Sequence, residues 1–555
     1  MVMTTAVNSA RGKRRGAVAL GGPAARTTLA SPSWLGRAIA LLAKLPGVGA
    51  LLNDLLINLV ASSAKPRPLP YSLWGPKPCP PDSALAGKSA DYIAWPGLVD
   101  RSYSGRHLPV CSDAYAADLP PSKALLHLFQ RGPTMIESTR SSALFCFFAQ
   151  WFTDSFLRTD FRDYRRNTSN HEIDLCQIYG LVQADTELLR EKVGGRLKHR
   201  ATPNGDFPAL LFNPDGQRVA EPFLNLGYID NGAYRNPVIP PGLDTPERRA
   251  RLFAAGLERG NSTIFYSALN TLFLREHNRL AREISQRHPE FDDDRVFEHA
   301  RSTNLAQLLK IIIEDYINHL SSAPLRFFVD VGKAERRRWY RTNRISAEFD
   351  LLYRWHSMTP DKVTVQGQSL ADSQFLYNNA LLEQVGVETV LADAAQQPAG
   401  RIGLGNTPSF LQPFDLAAIE KSRAWRLRSY NDYREAFGLP RLHSTLQLAR
   451  DPATAAQLEK LYGHVDKVEL MVGLLAEAHG EGAVLGELMQ LMVGVDAFTQ
   501  ALTNPLLSEN IYGSAAFTEV GLRSLEQTSS LDDIARRTLQ LGGRRLSFRR
   551  PGAPL

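Results

Sequence analysis

Apolar residues recur every three or four positions along most of this chain, a spacing that places them on one face of an α-helix. The longest stretches with this spacing cover residues 140–158, 262–287, 293–320, 345–356, 370–388, 466–478 and 484–502. Segments with the strict alternation of a β-strand are few and short. The pattern therefore predicts a mainly α protein with one large catalytic domain over residues 83–555 and no internal repeat.

The most apolar part of the chain is residues 32–64, but charged residues and a proline interrupt it. Lys44, Pro46 and Asp54 leave no run of 18 apolar residues, so a membrane-spanning helix is disfavoured. The segment predicts two short helices with a break near residues 45–49. Two arrangements are open: amphipathic helices lying in one leaflet of a membrane, or helices packed on the protein's own core.

Two segments of unusual composition flank these helices. Residues 1–31 form a basic tail with five arginine or lysine residues and no acidic residue, which accounts for most of the net charge of +7. Such a tail is either solvated and disordered or held at an anionic membrane surface. Residues 65–82 are rich in proline and predict an extended linker. Because the rest of the chain is nearly neutral, we do not expect nucleic acid as a partner.

The chain has four cysteines, with no CxxC pair and no zinc-like spacing. Four cysteines in 555 residues are too few for a disulfide scaffold, so a reducing compartment is expected. Arg14 and Arg15 precede a weakly apolar stretch, which makes export through a twin-arginine signal the less favoured alternative. The expected location is peripheral, on the cytoplasmic side of a membrane.

One tyrosine and one histidine stand out as candidates for redox chemistry. Tyr353 and His356 are three residues apart in a segment with helical spacing, so on a helix they would share a face, and Pro360 would end that helix. An imidazole can bind iron, and a phenol can be oxidised where an aliphatic side chain cannot. Unaided, however, a histidine near a tyrosine is more often structural.

Six ordered segments change that interpretation. They are FFAQWFTDSFLRTD (147–160), HEIDLCQIYG (171–180), FLREHNRLAREI (273–284), TNRISAEFDLLYRWH (342–356), AGRIGLG (399–405) and YNDYREAFGLP (430–440). Together they resemble the cyclooxygenase branch of the animal haem peroxidase superfamily. The similarity in spacing runs from about Tyr71 to near the C-terminus.

The resemblance implies a mainly α fold with haem b wedged between helices and His356 as the axial ligand of the iron. It also implies that Tyr353 is the radical-forming tyrosine. In that family, peroxide oxidises the haem and the haem oxidises the tyrosine. The tyrosyl radical then takes a hydrogen atom from an unsaturated fatty acid, to which molecular oxygen adds. The resemblance further favours membrane-binding helices over residues 32–64 and a homodimer.

On the distal side of the haem, the chain departs from the family pattern. Gln150 matches the family's glutamine, but Asp154 stands where the family has a proton-shuttling histidine. A carboxyl group with a raised pKa can accept and return a proton during peroxide cleavage. Asp154 is therefore either a working substitute or a residue that only solvates a site without peroxidase activity.

The substrate channel departs from the pattern as well. Ala323 stands where the family has a tyrosine that binds the fatty acid carboxylate, and the arginine that helps it has no counterpart near residues 59–63. Lys65 or Arg67 could serve instead, unless both are solvated linker charges. Phe498 and Thr499 match residues that line the channel. On the proximal side, Met471 replaces a supporting tyrosine, so the surroundings of His356 are expected to differ.

Three functions follow from these residues. The leading hypothesis is a haem-dependent dioxygenase that oxygenates an unsaturated fatty acid through a Tyr353 radical. The second is a haem peroxidase, or an enzyme that rearranges fatty acid hydroperoxides, with no tyrosyl radical. The third is an inactive protein that binds haem or lipid at a membrane.

Overall fold

The structure is a computed structural model that describes residues 34–45, 47–63, 102–230, 233–234, 239–340 and 343–553. The predicted basic tail, the predicted linker, Lys65 and Arg67 lie outside these residues. Within them, helices dominate and strands are short, which confirms the mainly α prediction.

The helices of the N-terminal half are α1 (Trp34–Leu42), α2 (Val48–Ala61), α3 (Asp113–Ala117), α4 (Ser122–Phe129), α5 (Ala143–Thr153), α6 (Cys176–Tyr179), α7 (Gln183–Leu189), α8 (Pro246–Arg249), α9 (Ile264–Arg287) and α10 (Asp293–Ile311). Helix α10 continues through a π-helical turn (Ile312–Ile317) into α11 (Asn318–Leu320). The predicted helix over 293–320 is therefore continuous.

The helices of the C-terminal half are α12 (Ala347–Leu352), α13 (Asp372–Phe375), α14 (Asn379–Val385), α15 (Val387–Gln396), α16 (Gln412–Ala424), α17 (Tyr430–Ala436), α18 (Thr445–Ala449), α19 (Pro452–Tyr462), α20 (Leu470–Ala476), α21 (Glu487–Leu502), α22 (Ser514–Glu526) and α23 (Leu531–Thr538). The single helix predicted over 370–388 is wrong. Its first residues end a β-hairpin, and a left-handed residue, Tyr377, separates α13 from α14.

Strands in the described residues form four two-stranded antiparallel pairs. They are β1 (Glu137–Ser142) with β8 (Pro398–Gly400), β2 (His199–Thr202) with β3 (Gly205–Pro208), β4 (Ile229–Asp230) with β5 (Ala233–Tyr234), and β6 (Lys362–Val365) with β7 (Gln368–Ala371). The β1–β8 pair matters for function, because β1 leads directly into α5 and β8 lies beside the turn that carries His356.

Helix α9 runs through the centre of the molecule, with most of its side chains buried. Several of its buried polar residues are held by hydrogen bonds. His277 bonds to the Tyr179 hydroxyl and to the Gly195 carbonyl, at 2.8 Å each, and Asn278 pairs with the backbone of Leu197. These hydrogen bonds stabilise the fold, because they offset the free-energy cost of removing the buried polar atoms from water.

Helix α2 has one face packed on the protein, and its other face, together with the exposed leucines of α1 and of the turn after it, is open. On the packed side, Asn53 exchanges two 3.2 Å hydrogen bonds with the backbone of Phe328, and Trp339 donates to Asn58. Ile57, Val60 and Ala61 belong to the main hydrophobic core. Leucines fill the open face: Leu41, Leu42, Leu45, Leu51 and Leu55 are each exposed. Within the described ranges, no helix combines the length and apolar character needed to cross a membrane.

Candidate active site

His356 begins a short 3₁₀ turn, His356–Met358, that neighbouring residues hold in place. Arg131 donates to the carbonyls of Ser357 and Thr359, at 3.1 and 2.8 Å, and Asn406 donates to Ser357. Gly400 of β8 approaches so closely that an added Cβ would lie 2.1 Å from the Ser357 carbonyl oxygen. The backbone next to His356 is thus fixed from three sides.

The imidazole of His356 has a defined orientation. Its Nδ1 donates to the carboxylate of Asp415, 2.6 Å away in the first turn of α16. Because Nδ1 carries the proton in this bond, Nε2 keeps a free lone pair, which is the form that binds a metal. The side chain is 19% exposed. The aromatic ring of Phe414 lies beside it, with 6.2 Å between ring centres, and is itself 42% exposed.

Tyr353 and His356 do not share a helix, so this part of the sequence-based prediction is wrong. Helix α12 begins after the capping residue Ser346 and ends at Leu352, with Tyr353 as its C-cap. Packing explains the early end. Trp355 is buried, with its ring stacked on Phe145 and tilted against Tyr353, which requires a non-helical backbone before His356.

Tyr353 is half-buried as a residue, but its phenol hydroxyl is buried. Burial raises the pKa of this phenol well above its usual range. The Tyr316 hydroxyl interacts with it, though not at the distance and angle of a full hydrogen bond. Tyr316 comes from the π-helical turn at residues 312–317, an element that is frequent at functional sites.

Helix α5 carries the predicted distal residues. Its side chains from Ala143 to Thr153 are all buried except that of Gln150. The exposed glutamine shows that this otherwise buried helix is open to solvent at this position. Asp154, the C-cap of α5, follows one turn later and is buried.

Asp154 lies among charged residues that come from outside α5. Its Oδ1 accepts from Arg259 at 3.4 Å, and its Oδ2 is buried without a hydrogen-bond partner. Burial raises the pKa of Asp154, while Arg259 and Arg158 act in the opposite direction. Arg158 is itself held by Glu258, at 2.9 Å. A buried carboxyl group beside a guanidinium, with one oxygen that has no hydrogen-bond partner, can exchange a proton with a small ligand that reaches it.

The two halves of the site are connected electrostatically. Arg354, two residues before His356, is close enough to Asp154 to lower its pKa. Arg354 also pairs with Asp350, as does Lys421 of α16 at 3.3 Å. The site thus combines a histidine with a free Nε2, a partly exposed aromatic ring and two cations that share Asp350. These residues fit a haem group, which His356 would hold through Nε2, with Arg354 and Lys421 as neighbouring cations.

A mainly apolar cavity of about 490 Å³ lies between α2, the π-helical turn and α21. Its lining includes apolar residues such as Ile317, Phe327 and Phe498, and also charged residues such as Arg434 and Glu477. Ile317 follows Tyr316 in the chain, but neither Tyr316 nor Tyr353 is among the lining residues. A cavity of this size and character suits a long hydrocarbon chain.

Of the predicted channel residues Phe498, Thr499 and Ala323, Phe498 lines this cavity and the other two are not among its lining residues. Thr499 is buried, and its hydroxyl donates to the Val495 carbonyl of its own helix at 2.8 Å. Ser322 lines the cavity, whereas Ala323 packs against the core.

The sequence alone did not identify three residues of the site: Asp415, Arg259 and Tyr316. Asp415 and Arg259 belong to segments that carry no motif of their own. Tyr316 lies in a helical stretch where an aromatic residue is expected for packing alone. The signal that would have pointed to Asp415 is an acidic residue on the apolar side of α16.

The chain is similar in sequence to known proteins. A profile of the animal haem peroxidase family matches residues 119–543. Prostaglandin G/H synthase 2 of Gallus gallus is 32% identical over 410 residues, which cover 72% of this chain and 64% of that enzyme. The chain thus spans less than two thirds of the chicken enzyme's length. Prostaglandin G/H synthase 1 of Mus musculus is 31% identical over 467 residues, covering 82% of this chain and 74% of the mouse enzyme.

Solved structures show the same fold at lower identity. A variant of the fatty acid alpha-dioxygenase of Oryza sativa, solved with palmitic acid, matches with a TM-score of 0.64 at 15% identity. The match covers 93% of this chain and 96% of that one. Peroxidase A of Dictyostelium discoideum matches with a TM-score of 0.62 at 19% identity, covering 80% and 92%. The sequence and the fold together show that this chain belongs to the animal haem peroxidase family.

Proposed function

We propose that this protein is a haem-dependent dioxygenase that oxygenates an unsaturated fatty acid by hydrogen abstraction at Tyr353. The observation that carries the proposal is the position of that phenol. It lies three residues from the candidate iron ligand and next to Tyr316, whose neighbour Ile317 lines the apolar cavity. An oxidisable side chain is thus close in the chain to the candidate iron ligand and interacts with a π-helical turn of which one residue, Ile317, lines a lipid-sized cavity.

The residues have separate tasks in this reaction. His356 would hold the iron through Nε2, and haem bound there would supply the one-electron oxidant. Because burial raises its pKa, Tyr353 is a neutral phenol at physiological pH and must lose a proton together with an electron. The adjacent Tyr316 hydroxyl is the polar group that faces this proton. The apolar cavity holds the hydrocarbon chain and excludes water from the radical.

The similar proteins support a fatty acid as substrate. The rice enzyme of the same fold is a fatty acid alpha-dioxygenase and was solved with palmitic acid. The residues at the channel mouth differ, with Ala323 where the cyclooxygenase pattern has a tyrosine. A differently held substrate favours simple hydroperoxide formation over cyclisation.

Oxygen uptake tests the proposal. The haem-loaded protein is given linoleic acid, with stearic acid as the saturated control and a trace of peroxide to start the reaction. We expect uptake with linoleic acid only, and a fatty acid hydroperoxide as product. Haem binding without oxygen uptake across a panel of unsaturated fatty acids of different chain lengths would contradict the proposal.

A second function, a peroxidase or a hydroperoxide-rearranging enzyme without a tyrosyl radical, is favoured by the distal charges. Asp154 is a buried proton acceptor, and the half-exposed cation Arg259 lies beside it at 3.4 Å. Such an enzyme would turn over a fatty acid hydroperoxide without consuming oxygen, and its rate would not depend on Tyr353.

The distal carboxylate gives a prediction that applies to peroxide cleavage in either function. We expect Asp154→Asn to lower the rate of reaction with hydrogen peroxide about 100-fold, the usual contribution of a general acid–base group. Since burial raises the pKa of Asp154, the native rate falls on acidification at a higher pH than an exposed carboxyl would give. The pH profile of the Asp154→Asn variant should lack this fall in rate at acidic pH.

Stopped-flow rates measured across pH test both effects, and the control is Asp215→Asn, which changes an exposed turn residue. An unchanged rate would mean that Asp154 only solvates the site.

We also propose that the open face of α1 and α2 binds a membrane surface. Leu51 and Leu55 are 67% and 60% exposed on a helix whose other face is fixed to the core. A row of exposed leucines on a docked helix is typical of an interfacial contact. The cytoplasmic location and the homodimer stay predictions beside this one.

Replacing both leucines tests the membrane contact. We expect Leu51→Ser/Leu55→Ser to bind phosphatidylcholine–phosphatidylserine vesicles at least about tenfold more weakly, because two apolar side chains no longer leave water. Co-sedimentation with vesicles is the measurement. The matched control is Val193→Ser/Leu446→Ser, which changes two exposed apolar residues elsewhere. Equal binding by the two double variants would contradict the proposal.

A further inference from the structure

Asp415 is a buried carboxylate that forms a hydrogen bond with one side chain, that of His356. Its side chain is 1% exposed, and its Oδ1 accepts the 2.6 Å hydrogen bond from His356. The other oxygen, Oδ2, is buried with no hydrogen-bond partner. The imidazole is the only side chain paired with Asp415 among the residues that the structure describes.

Two other buried carboxylates, Glu276 and Asp350, differ in this respect. Glu276 is held by Arg279 at 2.7 Å and accepts from Gln307. Asp350 is paired with both Arg354 and Lys421. In those groups a permanent cation takes up most of the negative charge. At Asp415 the charge acts on the imidazole alone.

The fold stabilises this charge without a cation. Asp415 lies in the first turn of α16, a 13-residue helix with Pro413 at its start. The backbone N–H groups and the dipole of a helix N-terminus favour a negative charge at this position. The carboxylate can therefore be buried beside His356 without an arginine or lysine to neutralise it.

We propose that Asp415 is a positioning residue that sets the electron donation of His356 to its metal. A carboxylate that accepts the Nδ1 proton fixes the tautomer and ring orientation and makes Nε2 a stronger donor. This inference rests on the proposed function, because it assumes haem at His356. It also gives Asp415 a role different from that proposed for Asp154: Asp415 would act on the iron ligand, whereas Asp154 would exchange a proton with peroxide.

Asp415→Asn removes the charge but keeps an oxygen that accepts the hydrogen bond. In the haem-loaded full chain, we expect the ferric/ferrous midpoint potential to rise and the iron–histidine stretching band of the ferrous form to fall in frequency. Transfer of haem to apomyoglobin should be about tenfold faster, the usual scale for loss of such a partner. The control is Glu420→Gln, which removes one negative charge from the exposed side of the same helix.

The inference is overturned if Asp415→Asn and Glu420→Gln both keep the native potential, stretching frequency and haem transfer rate. That outcome would leave the proposed function intact, whereas a native protein that binds no haem would end both. If Asp415→Asn does not fold, the frequency of the iron–histidine stretching band in the native ferrous protein tests the inference. A frequency near that of imidazolate haem standards supports the inference, and one near that of neutral imidazole standards overturns it.

Discussion

Tyr353→Phe should abolish fatty acid oxygenation while leaving haem binding unchanged. A benzene ring cannot be oxidised under conditions that oxidise a phenol, so we expect oxygen uptake to fall by at least about 100-fold, or about 2.7 kcal/mol of barrier. The ring itself should stay in place, because Phe349 and Trp355 contact its faces and edges rather than its hydroxyl. Oxygen uptake with linoleic acid measures the loss.

The same variant separates the two enzymatic hypotheses. Electron paramagnetic resonance after addition of peroxide should show a tyrosyl signal in the native protein that is lost in Tyr353→Phe. The matched control is Tyr512→Phe, because Tyr512 packs on the aromatic ring of Phe517 and has no ring contact with Tyr353 or Trp355 among the described residues. Full activity of Tyr353→Phe would rule out the radical mechanism and favour the peroxidase or rearranging enzyme.

His356→Ala should remove the Soret band that we expect of the native protein after haem loading. The variant loses the iron ligand and also leaves Asp415 buried without its partner, which should cost about 1–3 kcal/mol of folding free energy. Absorption spectra and thermal unfolding of the haem-free chain measure the two effects. The exposed His443→Ala serves as the control.

Two further variants sharpen this prediction. His356→Gly should regain haem absorption when free imidazole is added, since the added ring can occupy the vacated space beside Asp415. His356→Ala/Asp415→Ala should unfold at a higher temperature than His356→Ala alone, because the unpaired carboxylate is gone. An unchanged Soret band in His356→Ala would show that another residue binds the iron.

The periodicity of the sequence was sufficient to predict the long helices. Residues 262–287 and 293–320 repeat apolar side chains at helical spacing over many turns, so their predicted limits lie close to those of α9 and α10 through α11. The prediction was wrong over 370–388, where the chain needed a hairpin end and a left-handed turn at Tyr377. Packing contacts with distant segments decide such short breaks, and they leave no period in the sequence.

Some residues of the candidate site were also predictable from the sequence, whereas their geometry was not. Tyr353 and His356 were found from the sequence because they are neighbours inside a recognisable segment. Their geometry was not, because Trp355 packs into the core and interrupts the helix that local spacing predicts. Helical spacing of three residues describes a contact only where the backbone stays helical.

What the sequence by itself determined is the set of chemical groups: the histidine and tyrosine pair, the glutamine and aspartate of α5, and a mainly helical framework of one family. Only the tertiary structure decided what those groups touch. Asp415 is 59 residues away from His356, Arg259 is 105 residues away from Asp154, and the π-helical turn places Tyr316 at Tyr353. Contacts between segments so far apart arise when helices pack around a common core, and no local pattern of residues records them.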